Sequence, residues 1–158
     1  MSSQVLSPQA HLSQTEAAWL RLLRAHAAVT RELSARLEAA HGLTLSDFDV
    51  LVQLFHAEDH RLRRVDLARS VLLTASGITR LLDGLERSGW VAKDRCPGDA
   101  RVTYAVLTDA GLEKIAAARA RHAADIEELF GSQFSADEKA TLDDLLSRLP
   151  LAETACQK

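Results

Sequence analysis

The chain has 158 residues, a net charge of −3 and 47% apolar residues, values typical of a single globular domain or subunit. No apolar run approaches the roughly 20 residues that span a bilayer, and the first residues lack the basic start and apolar stretch of a signal peptide. The two cysteines, Cys96 and Cys156, lie too far apart in the sequence to suggest a metal-ligand pair or a disulfide framework. We therefore expect a cytoplasmic protein without a bound metal or cofactor.

Charge is distributed unevenly along the chain. Residues 60–101 contain nine Lys/Arg and five Asp/Glu, a balance of +4. The remaining residues contain ten Lys/Arg and seventeen Asp/Glu, a balance of −7, so that the whole chain carries −3. A basic segment between acidic flanks is typical of a DNA-facing patch on an acidic body, although such clusters also occur on ordinary solvated surfaces.

The first half of the chain predicts three helices. Apolar residues at helical spacing predict a long helix over 13–41 that ends at Gly42. Ser46 is the predicted N-cap of a second helix, whose core-facing side carries Phe48, Leu51, Val52 and Phe55. The charged segment 56–64 is predicted to form a loop or a short edge strand, and a third, short helix follows over 65–71.

Segment 74–89 is the most informative part of the chain. Thr74 is a predicted N-cap and Gly89 a predicted helix end, and between them one helical face carries Ile78, Leu81, Leu82 and Leu85. A short helix, a tight turn and a second helix with a small, polar N-terminal face indicate a helix-turn-helix. Strand-like segments at 90–93 and 102–107, joined by a turn-prone segment at 96–101, predict a β-hairpin in the position of a wing.

Two further helices complete the chain. Thr108 is the predicted cap of a helix that runs to about residue 130, and its Ala-rich centre is expected to cross a surface rather than enter a core. Ser135 and Glu138 have the spacing of a capping box, which predicts a last helix that ends before Pro150. Residues 1–12 and 151–158 are predicted to be a flexible leader and tail.

This order of elements resembles the MarR family over residues 13–150. The residues that carry the resemblance are segments 43–48, 65–68 and 76–89, with 99–101 and 106–111 in and after the hairpin. The resemblance implies a mostly α-helical fold with a small β-hairpin wing. It implies a winged helix-turn-helix lobe at 43–108, with dimerisation helices at 13–42 and 109–150. It further implies a homodimer that binds a pseudo-palindromic site in double-stranded DNA, most often as a repressor released by a small ligand.

The start of a recognition helix meets base edges in the major groove, which makes the predicted contacts there Thr74, Ala75, Ser76, Gly77, Thr79 and Arg80. In the wing, Lys93 and Arg95 are predicted phosphate contacts. Arg101 is expected to enter a narrow minor groove, and the resemblance gives Asp99 the role of orienting Arg101. The competing interpretations are a solvated helix face and an ordinary surface ion pair.

Four further basic residues precede the third predicted helix. For His60, Arg61, Arg63 and Arg64, contact with the DNA backbone and a solvated loop are equally open from the sequence.

An effector site is implied by the resemblance, because the family often binds small aromatic or phenolic anions in a cleft between the dimer helices and the DNA-binding lobe. Trp19 and Asp66 occupy positions similar to those used by the urate-responsive branch, and His26 is a further candidate. The competing interpretations are an interface aromatic for Trp19 and a helix-start carboxylate for Asp66.

Cys96 in the predicted wing is a candidate redox residue, because the neighbouring Arg95 would favour its thiolate. An incidental wing cysteine is the competing interpretation. The peroxide-sensing branch of the family places its reactive cysteine in or near the first helix, where this chain has none.

Other classes of function find little support. The chain has no nucleophile and base set, phosphate-binding glycine loop or His-Glu-x-x-His pair, so we do not expect an enzyme. A helical protein-interaction module without specific DNA binding is the main alternative. The charged hairpin with Asp99 and Arg101 speaks against it, because a scaffold would have no need of such a hairpin.

Overall fold

The structure is a computed structural model that describes residues 12–71, 75–96 and 99–149. The elements in these ranges are α1 Gln14–His41, α2 Leu45–His56, β1 Arg61–Arg63, α3 Arg64–Ser70, α4 Ala75–Arg87, β2 Val91–Cys96, β3 Asp99–Leu107, α5 Asp109–Leu129 and α6 Ala136–Ser147. Residues 1–11 of the predicted leader, the predicted cap Thr74, Pro97, Gly98 and the predicted tail lie outside the described residues. Within those ranges, no helix combines the length and apolar character needed to cross a membrane.

Side-chain capping explains where α1, α2, α5 and α6 begin. Thr44 and Asp47 form a capping box at α2, in which the Asp47 amide donates to Thr44 Oγ1 at 3.1 Å and the Thr44 amide donates to Asp47 Oδ2 at 3.0 Å. The prediction of Ser46 as this cap was therefore wrong. The reciprocal pair satisfies two backbone amides and starts the helix two residues earlier than a cap at Ser46 would. The predicted capping box of Ser135 and Glu138 is confirmed.

The three strands form one antiparallel sheet in the order β1-β3-β2. Segment 61–63 is the edge strand β1, not a loop, since Arg61, Leu62 and Arg63 pair with Val106, Ala105 and Tyr104. The hairpin is longer than predicted, because strand pairing continues to Cys96 and Asp99 through a register shift. Most of the segment predicted as a turn is therefore strand. Turn propensity describes single residues, whereas strand length depends on cross-strand hydrogen bonds.

One continuous core joins all the helices except α6 to the sheet. Its buried members are Leu37, Leu43, Val50, Leu51, Leu54, Leu67, Ile78, Leu82, Leu85, Val91, Ala105, Leu107, Ile115 and Ala118. The core face predicted for α2 was partly wrong. Both faces of this helix are apolar, and Val50 and Leu54 are buried, whereas Phe48, Val52 and Phe55 are only partly covered. The centre of α5 is likewise not a pure surface crossing, because Ala118 is fully buried.

Helix α1 is attached to α5 by a charged network around Arg36. Its guanidinium donates to Asp125 Oδ1 at 3.1 Å and to both carboxylate oxygens of Glu128 at 3.0 Å. Asp125 is only 3% exposed and also pairs with Arg121 at 3.1 Å. Burial alone would raise the pKa of Asp125, but hydrogen bonds from Arg121 and Arg36 outweigh it and hold this pKa below its usual value. The network is therefore charged at neutral pH.

Gly111 allows the start of α5 to lie against the backbone at the start of β2. A Cβ atom on Gly111 would stand 2.1 Å from the carbonyl oxygen of Trp90 and 2.9 Å from Leu107 Cδ1. The same carbonyl accepts the Thr108 amide at 3.1 Å, and Thr108 Oγ1 donates to the Gly89 carbonyl at 2.7 Å. These contacts fix the base of the hairpin, where β2 begins and β3 ends, to the start of α5.

We predict that Gly111→Ala lowers stability by about 2 kcal/mol, because the new methyl group meets a backbone carbonyl that is held by its own hydrogen bond. Thermal or urea unfolding at constant protein concentration measures the change. The matched control is Gly84→Ala, whose Cβ would have only Arg87 Nη2 nearby, at 3.9 Å. This second change lies within a helix and should be neutral or mildly stabilising. Equal stabilities of the two variants would contradict the close approach at Gly111.

We also predict a pH-dependent cost for Asp125→Asn. Because the pKa of Asp125 is depressed in the folded state, its contribution is fully present above the unfolded-state pKa of about 4 and is lost as the pH falls through the folded-state pKa. The variant should unfold at lower urea concentration than the wild type at pH 7, and the two midpoints should converge towards pH 2. A constant difference over the whole range would show that the charge of Asp125 is not what stabilises the contact.

Candidate nucleic-acid interface and adjoining groove

Helix α4 has one buried and one open face. Ile78, Leu82 and Leu85 are almost completely buried and hold the helix against the core. Arg80 and Arg87 are exposed on its other side, and Thr79 is half-buried between the two faces. A helix fixed in this way presents an ordered row of polar side chains that can enter a DNA groove.

The predicted contact residues fall into two groups. Ala75, Ser76, Gly77, Thr79 and Arg80 lie together in the N-terminal half of α4. The wing positions lie at the other end of the hairpin from the core: Arg95 near the end of β2, and Asp99 and Arg101 at the start of β3. The candidate redox residue Cys96 ends β2 and pairs in the sheet with Asp99. The side chains of Ala75, Ser76 and these four wing residues lie outside the described part.

Arg64 belongs to this surface, although the sequence left it between a solvated loop and a backbone contact. It begins α3, and its Nη2 donates to Thr79 Oγ1 on α4 at 2.6 Å. Its Nε is buried and has no hydrogen-bond partner. The solvated-loop interpretation is therefore wrong for Arg64. The sequence signal for this role was the position of Arg64 at the start of α3, the helix that precedes the recognition helix.

The other two arginines of this segment are paired with protein groups. The Arg61 guanidinium lies 4.1 Å from the centre of the Tyr104 ring, and its Nη2 is 3.4 Å from Asp94 Oδ2. Arg63 Nε donates to Asp66 Oδ2 at 2.6 Å. These arginines tie β1 to the hairpin and to the start of α3, so the segment is not a solvated loop.

Lys93 projects from β2 towards α4. Its ammonium nitrogen is 2.8 Å from Asp83 Oδ1 and 2.6 Å from Glu86 Oε2. Hydrogen bonds to Asp83 and Glu86 raise the pKa of Lys93, and the bond from Lys93 lowers the pKa of Asp83. The predicted phosphate contact therefore already has two carboxylate partners.

An open groove of about 590 Å³ lies between α2 and α5. Its lining is mostly apolar, with three basic side chains, and consists of Phe48, Val52, Phe55, His56, Ala116, Arg119, Ala120, His122, Ala123 and Ile126. The Arg119 guanidinium lies 4.6 Å from the centre of the Phe55 ring, and the rings of His122 and Phe48 are 4.5 Å apart. His122 Nδ1 is buried without a partner, and burial lowers the pKa of His122. This volume suits a small molecule with one aromatic ring and an anionic group.

The effector residues predicted from the sequence lie elsewhere. Trp19 and His26 are exposed side chains of α1, and Asp66 on α3 is paired with Arg63. None of the three is among the described residues that line the α2–α5 groove.

Large apolar side chains are also exposed on the helices outside the lobe. Trp19 has 58% of its surface exposed, and the others are Leu12, Leu22, Leu23, Ile126, Phe130, Leu145 and Leu149. They lie on or next to α1, α5 and α6, the helices predicted to form a dimer. Exposed apolar patches of this kind usually mark a protein–protein contact.

The pair α3–α4 followed by the β2–β3 hairpin defines a winged helix-turn-helix protein. Residues 43–103, which contain this unit except for the last residues of β3, match the MarR family. The chain is 31% identical to the transcriptional regulator YdgJ of Bacillus subtilis strain 168, over 77% of this chain and 72% of that protein. It is 35% identical to the transcriptional repressor YetL of the same strain, over 70% of this chain and 68% of that protein. The chain belongs to the MarR family of transcriptional regulators, and neither its relatives nor its fold are those of enzymes.

Solved structures agree with this assignment. Sco3205, a MarR-family regulator of Streptomyces coelicolor solved in complex with DNA, matches with a TM-score of 0.80 and 25% identity. The match covers 86% of each chain. An organohalide-sensing RdhR regulator, solved with 2,4-dichlorophenol, has the same fold with a TM-score of 0.79 at 15% identity, over 94% of this chain and 87% of that one.

Proposed function

We propose that this regulator is a cytoplasmic, ligand-responsive repressor that binds a pseudo-palindromic operator as a homodimer. The observation that carries the DNA-binding part is the two-sided helix α4. Its apolar face is locked into the core, and its polar face with Arg80 lies open beside the hairpin. Two such helices, one from each subunit, would enter successive major grooves about one helical turn apart.

The proposed contacts on DNA are divided between the two elements. In the major groove they are Thr74, Ala75, Ser76, Gly77, Thr79 and Arg80, where short side chains allow the backbone to approach the bases. In the wing, Arg95 would contact phosphate and Arg101 would enter the minor groove, oriented by Asp99. A tip cysteine at Cys96 would make this contact sensitive to oxidation.

The proposed dimer uses the exposed apolar side chains of α1 and the last two helices, within the segments 13–42 and 109–150. Removing these side chains from water would favour association. The lobe at 43–108 would then be carried by each subunit as the DNA-binding unit.

Two comparisons support repression and a ligand. YetL, which shares 35% identity with this chain, is a repressor, and the RdhR neighbour binds a chlorinated phenol. We propose a small aromatic or phenolic anion as the effector and the α2–α5 groove as its site. The ring would lie among Phe48, Val52 and Ile126, with the anionic group near Arg119 and His122. Trp19, His26 and Asp66 remain an alternative effector site.

We predict that Arg80→Ala weakens operator binding at least tenfold, because a bidentate contact to guanine or phosphate is lost.

Arg101→Ala should weaken binding and reduce the slope of log K against log salt by about 0.9, since one phosphate-neutralising cation leaves the interface. Fluorescence anisotropy measures both, with the DNA upstream of the protein's own coding sequence and random DNA as competitor. Two subunits should bind per site.

The matched control is Lys158→Ala, which removes a cation outside both segment 43–108 and the proposed dimer segments. It should bind DNA like the wild type. If the wild type binds upstream DNA no better than random DNA, selection from a random-sequence library shows whether any operator exists. Failure to select a sequence would favour the protein-interaction module instead.

We predict that 2,4-dichlorophenol, above its phenolic pKa, releases the protein from its operator and that Arg119→Gln weakens this response about tenfold. The variant loses a charge-assisted contact to the anion but keeps its affinity for DNA. Titration of the protein–DNA complex with the phenol measures the response, and cyclohexanol serves as the uncharged, non-aromatic control. A response that survives Arg119→Gln and His122→Phe but is lost in Trp19→Leu or Asp66→Asn would place the effector at the alternative site.

A further inference from the structure

Lys93 bridges the hairpin and the recognition helix. Its ammonium lies between Asp83 and Glu86, which stand one turn apart on the side of α4 that faces β2. Among the ion pairs between described side chains, these two are the ones that join β2 to α4. The next residue, Asp94, pairs with Arg61 of β1 on the opposite edge of the sheet. At Lys93 and Asp94, charged contacts therefore join strand β2 both to α4 and to β1.

Among the described side chains of the hairpin, none further out than the Lys93–Ala105 pair belongs to the buried core. Val91, Ala105 and Leu107 are buried and anchor its base. From Lys93 outwards to Cys96, three residues of strand extend about 10 Å. A tilt of about 20° at Lys93 would therefore move the end of the hairpin by about 3 Å, more than a hydrogen bond tolerates.

The two carboxylates also have an electrostatic consequence. Asp83 and Glu86 project from the helix proposed to enter DNA, where unpaired negative charges would repel phosphates. The bond to Lys93 lowers the pKa of Asp83, and hydrogen bonds to Asp83 and Glu86 raise the pKa of Lys93, so the Asp83–Lys93 pair is charged at neutral pH. The ammonium therefore offsets one of the two negative charges, and both carboxylates accept hydrogen bonds from it.

We propose that Lys93 is a positioning residue rather than a phosphate contact: with Asp83 and Glu86 it fixes the angle between the wing and the recognition helix. The inference rests on the proposed DNA binding, because a fixed angle matters when the helix and the wing must fit neighbouring grooves together. It replaces the role predicted for Lys93 from the sequence, where only the charge of the residue was visible.

The test compares affinity for the operator with affinity for random DNA. Lys93→Met and the double variant Asp83→Asn/Glu86→Gln should each lower this specificity ratio about fivefold, the size expected from losing two exposed ion pairs. The triple variant should be no worse than Lys93→Met, because all three changes remove one interaction. The salt slope of Lys93→Met should match that of the wild type. Lys158→Met, which changes a lysine outside both segment 43–108 and the proposed dimer segments, is the control and should leave the ratio unchanged.

A phosphate contact gives a different pattern. Lys93→Met would then weaken binding to both DNAs in parallel and reduce the salt slope by about 0.9, and the double variant, which frees the lysine, would keep the wild-type ratio. That pattern would overturn the proposal.

Hydrogen exchange of the free protein provides a readout that needs no DNA. Amides of β2 and β3 should exchange faster in Lys93→Met and in the double variant than in the wild type, and unchanged exchange would also overturn the proposal. If the wild type shows no operator binding while exchange changes as expected, the proposed function fails. The role of Lys93, Asp83 and Glu86 in holding the hairpin against α4 is then still supported.

Discussion

The burial of one face of α4 is the constraint on which the rest of the lobe depends. Ile78, Leu82 and Leu85 pack against the leucines of α2 and α3 and against the base of the hairpin. Three almost completely buried side chains on successive turns hold the helix in one rotation about its axis. The polar residues between them are therefore forced outwards together. The same packing that stabilises the fold therefore also orients Arg80 towards the solvent, and no further contact is needed to order this face of the helix.

The charge of the lobe is used in two ways. Arg61, Arg63 and Lys93 have carboxylate partners and hold the strands, the hairpin and the helices to one another. Arg80 and Arg87 are exposed on α4. The net charge of +4 over residues 60–101 therefore does not measure how many cations reach DNA. It includes both cations that pair with carboxylates of the protein and cations on the open face of α4, and only the geometry separates the two groups.

Helix α5 connects the features that a ligand would have to link. His122 faces the groove beside Phe48, and Asp125, less than one turn further along, is the buried centre of the network that holds Arg36 of α1. Arg119, three residues before His122, lies over Phe55 of α2. The proposed anion would therefore contact α5, the helix that is joined to α1 through Asp125 and to α2 through Arg119. It could change DNA affinity only by binding more tightly to one spacing of the two recognition helices than to another.

The sequence by itself determined the order of the helices, the apolar face of α4 and the position of the wing, because these follow from local periodicity, capping residues and turn residues. The family was indicated separately, by the resemblance of particular segments. It left or placed wrongly what depends on distant parts of the chain. The partners of Lys93, the contact of Arg64 with Thr79 and the strand β1 each join residues from different elements. The cap of α2 and its core face failed for a related reason: Thr44 and Ser46 are both good caps, and α2 is apolar on two sides. Only the packing of α2 against its neighbours decided which side lies in the core and which side lines the groove.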